Sequence, residues 1–148
     1  MISIQRARQG DERRLLPLYL DFYREDGIEV PEEHVARNLA TMLSEDRAAV
    51  WIAENNGKPV GMSSATVTFG VEFGWSCELE DLYVSPDYRG QGLSRLLLDS
   101  AVRWARSRDA SQVILVITPE AEADQGLTDY YRKCGFADSR RITMYMET

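Results

Sequence analysis

Residues 77–118 constrain the fold more than any other stretch, because they read as strand, glycine turn, helix and strand in unbroken succession. CELEDLYV has the character of a strand and SPDYRGQG of a turn. LSRLLLDSAVRWA then sets Leu93, Leu96, Leu97, Ala101 and Trp104 on one helical face, and QVILVIT follows as a buried strand. Such an order requires a helix packed against a sheet. Upstream, ISIQRA alternates like a strand, and the next helical face carries Leu15, Leu16, Tyr19, Leu20 and Tyr23. Pro31 opens a second helix with Val35, Leu39, Met42 and Leu43 on its apolar stripe. AAVWIAENNGKPVGMSSATVTFG holds two strands joined at Asn56-Gly57, a hairpin signal. Downstream, LTDYYRKCGF reads as a short helix stopped by Gly135, and RITMYME as a closing strand. The expectation is an α/β fold, with a mixed, mostly antiparallel central sheet flanked by helices, as one domain over residues 1–148.

Composition narrows the function classes. The formal net charge is −7 with no basic stripe, which argues against a nucleic-acid partner, since that binding depends on Lys and Arg neutralising phosphates. No apolar run has the length of a signal peptide or a spanning helix, so a cytoplasmic protein with no membrane partner is expected. Cys77 and Cys134 lie far apart and read as reduced, partly buried thiols; the single His34 reads as a surface residue, and no metal-ligand spacing occurs.

A strand that ends in glycines and opens a helix presents free backbone N–H groups at the positive end of a helix dipole, which is an anion site. Gly90 and Gly92 let a phosphate approach without meeting a Cβ, and Arg89 adds a charged donor. The three-glycine dinucleotide fingerprint and the Lys-Ser/Thr ending of a P-loop are both missing, so another phosphate ligand is required. VSPDYRGQGLSRLLL resembles the acyl-CoA pyrophosphate loop of the GNAT N-acetyltransferases, whose pattern is Gln/Arg-x-x-Gly-x-Gly/Ala. Here it is Arg89-Gly90-Gln91-Gly92-Leu93-Ser94, with Ser94 at the final small position. YYRKCGF, from Tyr130 to Phe136, is similar to the family's later Tyr-x-Lys-x-Gly-Phe signature, and the order of elements matches along essentially the whole chain.

That resemblance implies a GNAT fold whose sheet splays between its fourth and fifth strands, with acetyl-CoA as cosubstrate, no metal, and acetyl transfer to an amine. The pantetheine arm would lie along Leu82, Tyr83 and Val84 as an added strand, and the pyrophosphate on the amides from Arg89 to Ser94. An alkylamine must lose a proton to attack, and simple alternation puts Glu78 and Glu80 on one face with Leu82 and Val84, with Asp81 and Tyr83 on the other. Glu80 is the first candidate for the base and Asp81 the second. Tyr131 holds the position of the family's general acid, and a backbone N–H near Leu82 would meet the developing oxyanion. Asp124 stands where relatives place an asparagine that contacts pantetheine.

Acidic residues gather where an acceptor would enter. Residues 21–46 hold eight acids, among them Glu29, against Arg24 and Arg37, and Glu72, Glu78, Glu80 and Asp81 add four more. Such a field concentrates a polycation, so an aminoglycoside antibiotic, with resistance as the consequence, or a polyamine is the expected acceptor. Phe69, Phe73 and Trp75 line either an acceptor pocket or a dimer contact. The alternatives are a protein or amino-acid N-acetyltransferase and a non-catalytic acyl-CoA-binding module. A homodimer through RITMYME follows only by analogy with relatives.

Overall fold

The computed structural model describes residues 1–148, and its backbone forms two compact units, residues 1–116 and 117–148. In the first, strand β1 (Ile2–Arg6) leads to helices α1 (Glu12–Glu25) and α2 (Glu32–Ser44). Strands β2 (Ala48–Asn55), β3 (Lys58–Gly70) and β4 (Gly74–Val84) follow, then a 3-10 turn at Pro86–Tyr88, helix α3 (Leu93–Ser107) and strand β5 (Val113–Ile114). The sheet order is β1-β2-β3-β4-β5, antiparallel except for the parallel β4–β5 pair. The expected mixed, mostly antiparallel sheet is therefore present.

The β2–β3 hairpin forms where Asn-Gly placed it, with both Asn56 (φ 51°) and Gly57 (φ 83°) in the left-handed region that a two-residue primed turn demands. Helices cover both faces of the sheet, so β2 is buried along nearly its whole length instead of alternating. On one face Leu15, Leu18 and Tyr19 of α1 and Val35 and Leu39 of α2 pack on Val50, Ile52, Met62 and Tyr83. On the other, α3 buries Leu93, Leu97, Leu98, Ala101 and Trp104, and Trp104 meets Trp51 edge to face with ring centres 5.9 Å apart. An ion pair between the partly exposed Arg14 and the buried Glu54 ties α1 to β2.

Two sequence expectations are corrected here. The buried strand read from QVILVIT shrinks to Val113–Ile114, which pairs with β4 only at Cys77 and Glu78; Val116 is exposed. RITMYME forms no strand, and Ile142, Met144 and Met146 are 90%, 87% and 83% exposed. Alternating apolar residues say which side of a strand would be buried, but a strand also needs a partner edge, which composition does not supply. In the second unit, α4 (Pro119–Gln125) is capped by the Thr118 hydroxyl, which accepts from Ala121 N–H at 3.2 Å, and α5 (Leu127–Lys133) follows across Gly126. Glu122 Oε2 accepts from both the backbone N–H (2.7 Å) and the hydroxyl (2.6 Å) of Thr128, fixing that break.

Gly61 of β3 sits under α3: a Cβ there would stand 2.9 Å from the Tyr83 carbonyl oxygen and 3.3 Å from a Leu97 methyl. Gly61→Ala is expected to destabilise the protein by about 1–3 kcal/mol, through displacement of β4 or α3. Gly70→Ala, where a Cβ meets nothing within 4 Å, should be close to neutral; urea unfolding of the two variants checks the difference.

Candidate functional site

β4 is not a regular strand. Ser64 pairs with Asp81 and Ala65 with Leu79, so Glu80 is an extra residue opposite no partner of its own, a β-bulge. Before the bulge, Glu78 shares a face with Thr66; after it, Asp81 shares that same face with Ser64, and Tyr83 with Met62. Glu80 joins them, because its Oε1 accepts from Thr66 Oγ1 at 2.7 Å, while Asp81 Oδ2 accepts from Ser64 Oγ at 2.7 Å. Leu79, Leu82 and Val84 pair with the residues facing α3. The alternation drawn from the sequence is thus corrected: Glu78, Glu80, Asp81 and Tyr83 share one face, and Leu82 and Val84 lie on the other. One inserted residue reverses the phase of everything after it.

The shared face is the one covered by α1, and Tyr19 and Tyr23 bring their rings to the carboxylates. Burial lifts the Asp81 carboxyl to about 6; the Ser64 bond opposes the rise and the charge of Glu80 adds to it. Glu78 is also raised, first by desolvation and then by Glu80. Burial pushes the Tyr19 and Tyr23 hydroxyls well above the ordinary tyrosine range, with Asp81 contributing, and Cys77 is lifted to about 11 by burial and by Glu80 and Glu78. The result is a strand face that resists negative charge and favours a proton or a cation.

Tyr19, Tyr23, Ser64 and Thr66 escaped the sequence reading. The tyrosines were legible only as part of an apolar helical stripe. Ser64 and Thr66 carried a signal, being hydroxyls inside an otherwise apolar buried strand. Trp75, by contrast, is not brought to the carboxylates: it pairs with Phe69 on the α3 side of the sheet, rings 5.2 Å apart, beneath the Arg47 guanidinium. Glu29 is exposed in the α1–α2 connection. Three of the acids counted around it are ion-paired, Asp21 with Arg24 (2.9 Å), Glu25 with Arg89 (2.7 Å) and Asp46 with Arg108 (3.2 Å).

The turn from β4 into α3 uses two left-handed glycines, Gly90 (φ 77°) and Gly92 (φ 81°), the latter capping α3. A Cβ on either would meet no protein atom within 4 Å, so the backbone conformation alone accounts for both within the fold. Gly90, Gln91 and Gly92 are exposed, and the first turn of a 15-residue helix offers amides without intrahelical acceptors. These residues fit a pyrophosphate. The Arg89 side chain is directed elsewhere, donating from Nε to the Val84 carbonyl (2.8 Å) and from Nη2 to both Glu25 oxygens (3.0 and 2.7 Å). Along β4, pairing with β5 stops at Glu78, so the Leu82–Val84 segment lies beyond it.

In the second unit Tyr131 is buried on α5, its ring edge-on to Tyr130 (5.2 Å) and Phe136 (5.5 Å), and its hydroxyl is raised by burial and then by Tyr130 and Cys134. Asp124 is exposed on α4.

A bulged β4, a parallel β5 that pairs for two residues and a glycine turn into α3 together are the features of a GNAT-type fold. The family model for Acetyltransferase (GNAT) matches residues 13–136, and the chain belongs to that family. An uncharacterised N-acetyltransferase of Methanocaldococcus jannaschii is 26% identical over 144 residues, 95% of this chain, although the chain spans only 62% of that relative's length. An aminoglycoside N(6')-acetyltransferase type 1 of Salmonella typhimurium is 23% identical over 108 residues, 70% of this chain and 72% of that protein. Among solved structures, AAC(6')-Iy in complex with a bisubstrate analogue, CoA-S-monomethyl-acetylneamine, superimposes with a TM-score of 0.84 at 18% identity, covering 100% of this chain and 99% of that one. That likeness shows the fold.

Because the folded Asp81 midpoint of about 6 lies above its ordinary 3.8, the native state holds a proton that the unfolded chain releases first, and stability falls as pH rises through that window. Asp81→Asn is accordingly expected to stabilise the protein by about 1–3 kcal/mol at pH 7 and to have little effect near pH 3.5, measured by urea denaturation at both values.

Proposed function

We propose that this chain transfers an acetyl group from acetyl-CoA to a primary amine of a cationic small molecule, of the aminoglycoside or polyamine class. The observation that carries the reading is the bulge at Glu80, which collects three carboxylates on one face of the strand leading into the glycine turn. The aminoglycoside acetyltransferases among the relatives and structural neighbours support the acceptor class.

Bound acetyl-CoA supplies the activated acetyl thioester. The amides of Gly90 to Leu93 hold its pyrophosphate at the N-terminus of α3, and the open run of β4 near Leu82 gives backbone groups to the pantetheine arm and an N–H to the carbonyl oxygen. Asp81 takes the proton of the amine as the new N–C bond forms. A midpoint near 6 suits a base working near neutral pH better than an ordinary carboxylate would, which reverses the order in which alternation ranks Glu80 and Asp81. Glu80 and Glu78 hold positive charge beside it. Tyr131, kept protonated by burial, gives its proton to the departing thiolate.

A second reading, transfer to an amino acid or a protein amine, is favoured by the pairing of Asp21, Glu25 and Asp46 with arginines, which weakens the field available to a polycation. Thiol release from acetyl-CoA, screened with sisomicin, kanamycin, spermidine and single amino acids, separates the two. Turnover highest on the polycations is expected, with kcat reduced about 10²–10⁴-fold in Asp81→Asn and Tyr131→Phe. Acetyl-CoA binding by calorimetry with no turnover on any amine would instead assign a binding module.

A further inference from the structure

Ser64 is fully buried in β3, and its hydroxyl donates to Asp81 Oδ2 at 2.7 Å. Ser64 has one proton to give, and it goes to the carboxylate. The buried Tyr19 of α1 faces the same carboxylate, whose charge adds to the upward shift of its hydroxyl. The fold does not ask for a hydroxyl at this position, since the ladder uses only the Ser64 backbone, opposite Val50 and Asp81. A buried hydroxyl is costly unless bonded, and this one spends its proton on a carboxylate.

We propose that Ser64 is a positioning residue for Asp81, committing Oδ2 to the protein and leaving Oδ1 as the oxygen that meets the acceptor amine. The inference rests on the reading of Asp81 as the proton acceptor. The groups facing Asp81 are Glu78 and Glu80 on its own strand, Ser64 and Thr66 on β3, and Tyr19 and Tyr23 on α1. Of these, Ser64 is the donor that favours the ionised form, against desolvation and the charge of Glu80. Loss of the Ser64 hydroxyl leaves the carboxylate free to turn and harder to ionise.

The test is a carbon-13 carboxyl NMR titration of the free protein, which needs no acceptor. In Ser64→Ala the Asp81 midpoint should rise by about one pH unit, and in Ser64→Thr it should return toward the wild-type value. With an acceptor that turns over, the acidic limb of the kcat/KM profile in Ser64→Ala should move to higher pH in step, with the loss in kcat and not in KM for acetyl-CoA. An unchanged midpoint in folded Ser64→Ala overturns the proposal. If Ser64→Ala does not fold, the near-isosteric Ser64→Cys, a much weaker donor, decides in its place by the same midpoint. Normal turnover by Asp81→Asn would overturn the role of Asp81 as base, while the titration separately decides whether Ser64 holds its carboxyl.

Discussion

The candidate site depends on one extra residue in a ladder. A regular β4 would send Asp81 to the opposite face from Glu78 and Glu80 and split the carboxylates between the two helical layers. The bulge at Glu80 keeps all three on the α1 side, and the hydroxyls of Ser64 and Thr66, two residues apart on β3, each accommodate one of two adjacent carboxylates. The arrangement is strained electrostatically, since desolvation and mutual repulsion raise Asp81 and Glu78, and a fold keeps such repulsion only where the surrounding structure holds it in place.

The same strand continues into the second feature of the site. Beyond Val84 the chain turns through Pro86–Tyr88 and two left-handed glycines to start α3, and Arg89 pins that turn to the end of α1 through Glu25 while its guanidinium lies 5.5 Å from the Tyr83 ring centre. The glycine turn and the helix that supplies Tyr19 and Tyr23 are thus tied by a single arginine. Its side chain serves the scaffold, so the donors that the turn leaves open are backbone amides.

The element order, the Asn-Gly hairpin, the glycine turn and the two family motifs were legible in the sequence because each is a local signal: periodicity over one element, or a residue needed for positive φ. The extent of β5 and the fate of RITMYME were not, since pairing depends on edges far away in the chain. The acidity of residues 21–46 was read correctly as composition but overstated as a field, because Arg89 and Arg108, remote in sequence, fold back onto Glu25 and Asp46.

By itself the sequence determined the family, the strand-to-helix glycine turn and the candidates Glu78, Glu80 and Asp81, all of which are written in short contiguous motifs. Only the tertiary structure decided which of those carboxylates face one another, that Trp75 lies on the other side of the sheet, and that the Ser64 hydroxyl is bonded to Asp81. The physical reason is register: a bulge is defined by the partner strand it is counted against, and neither strand alone records it.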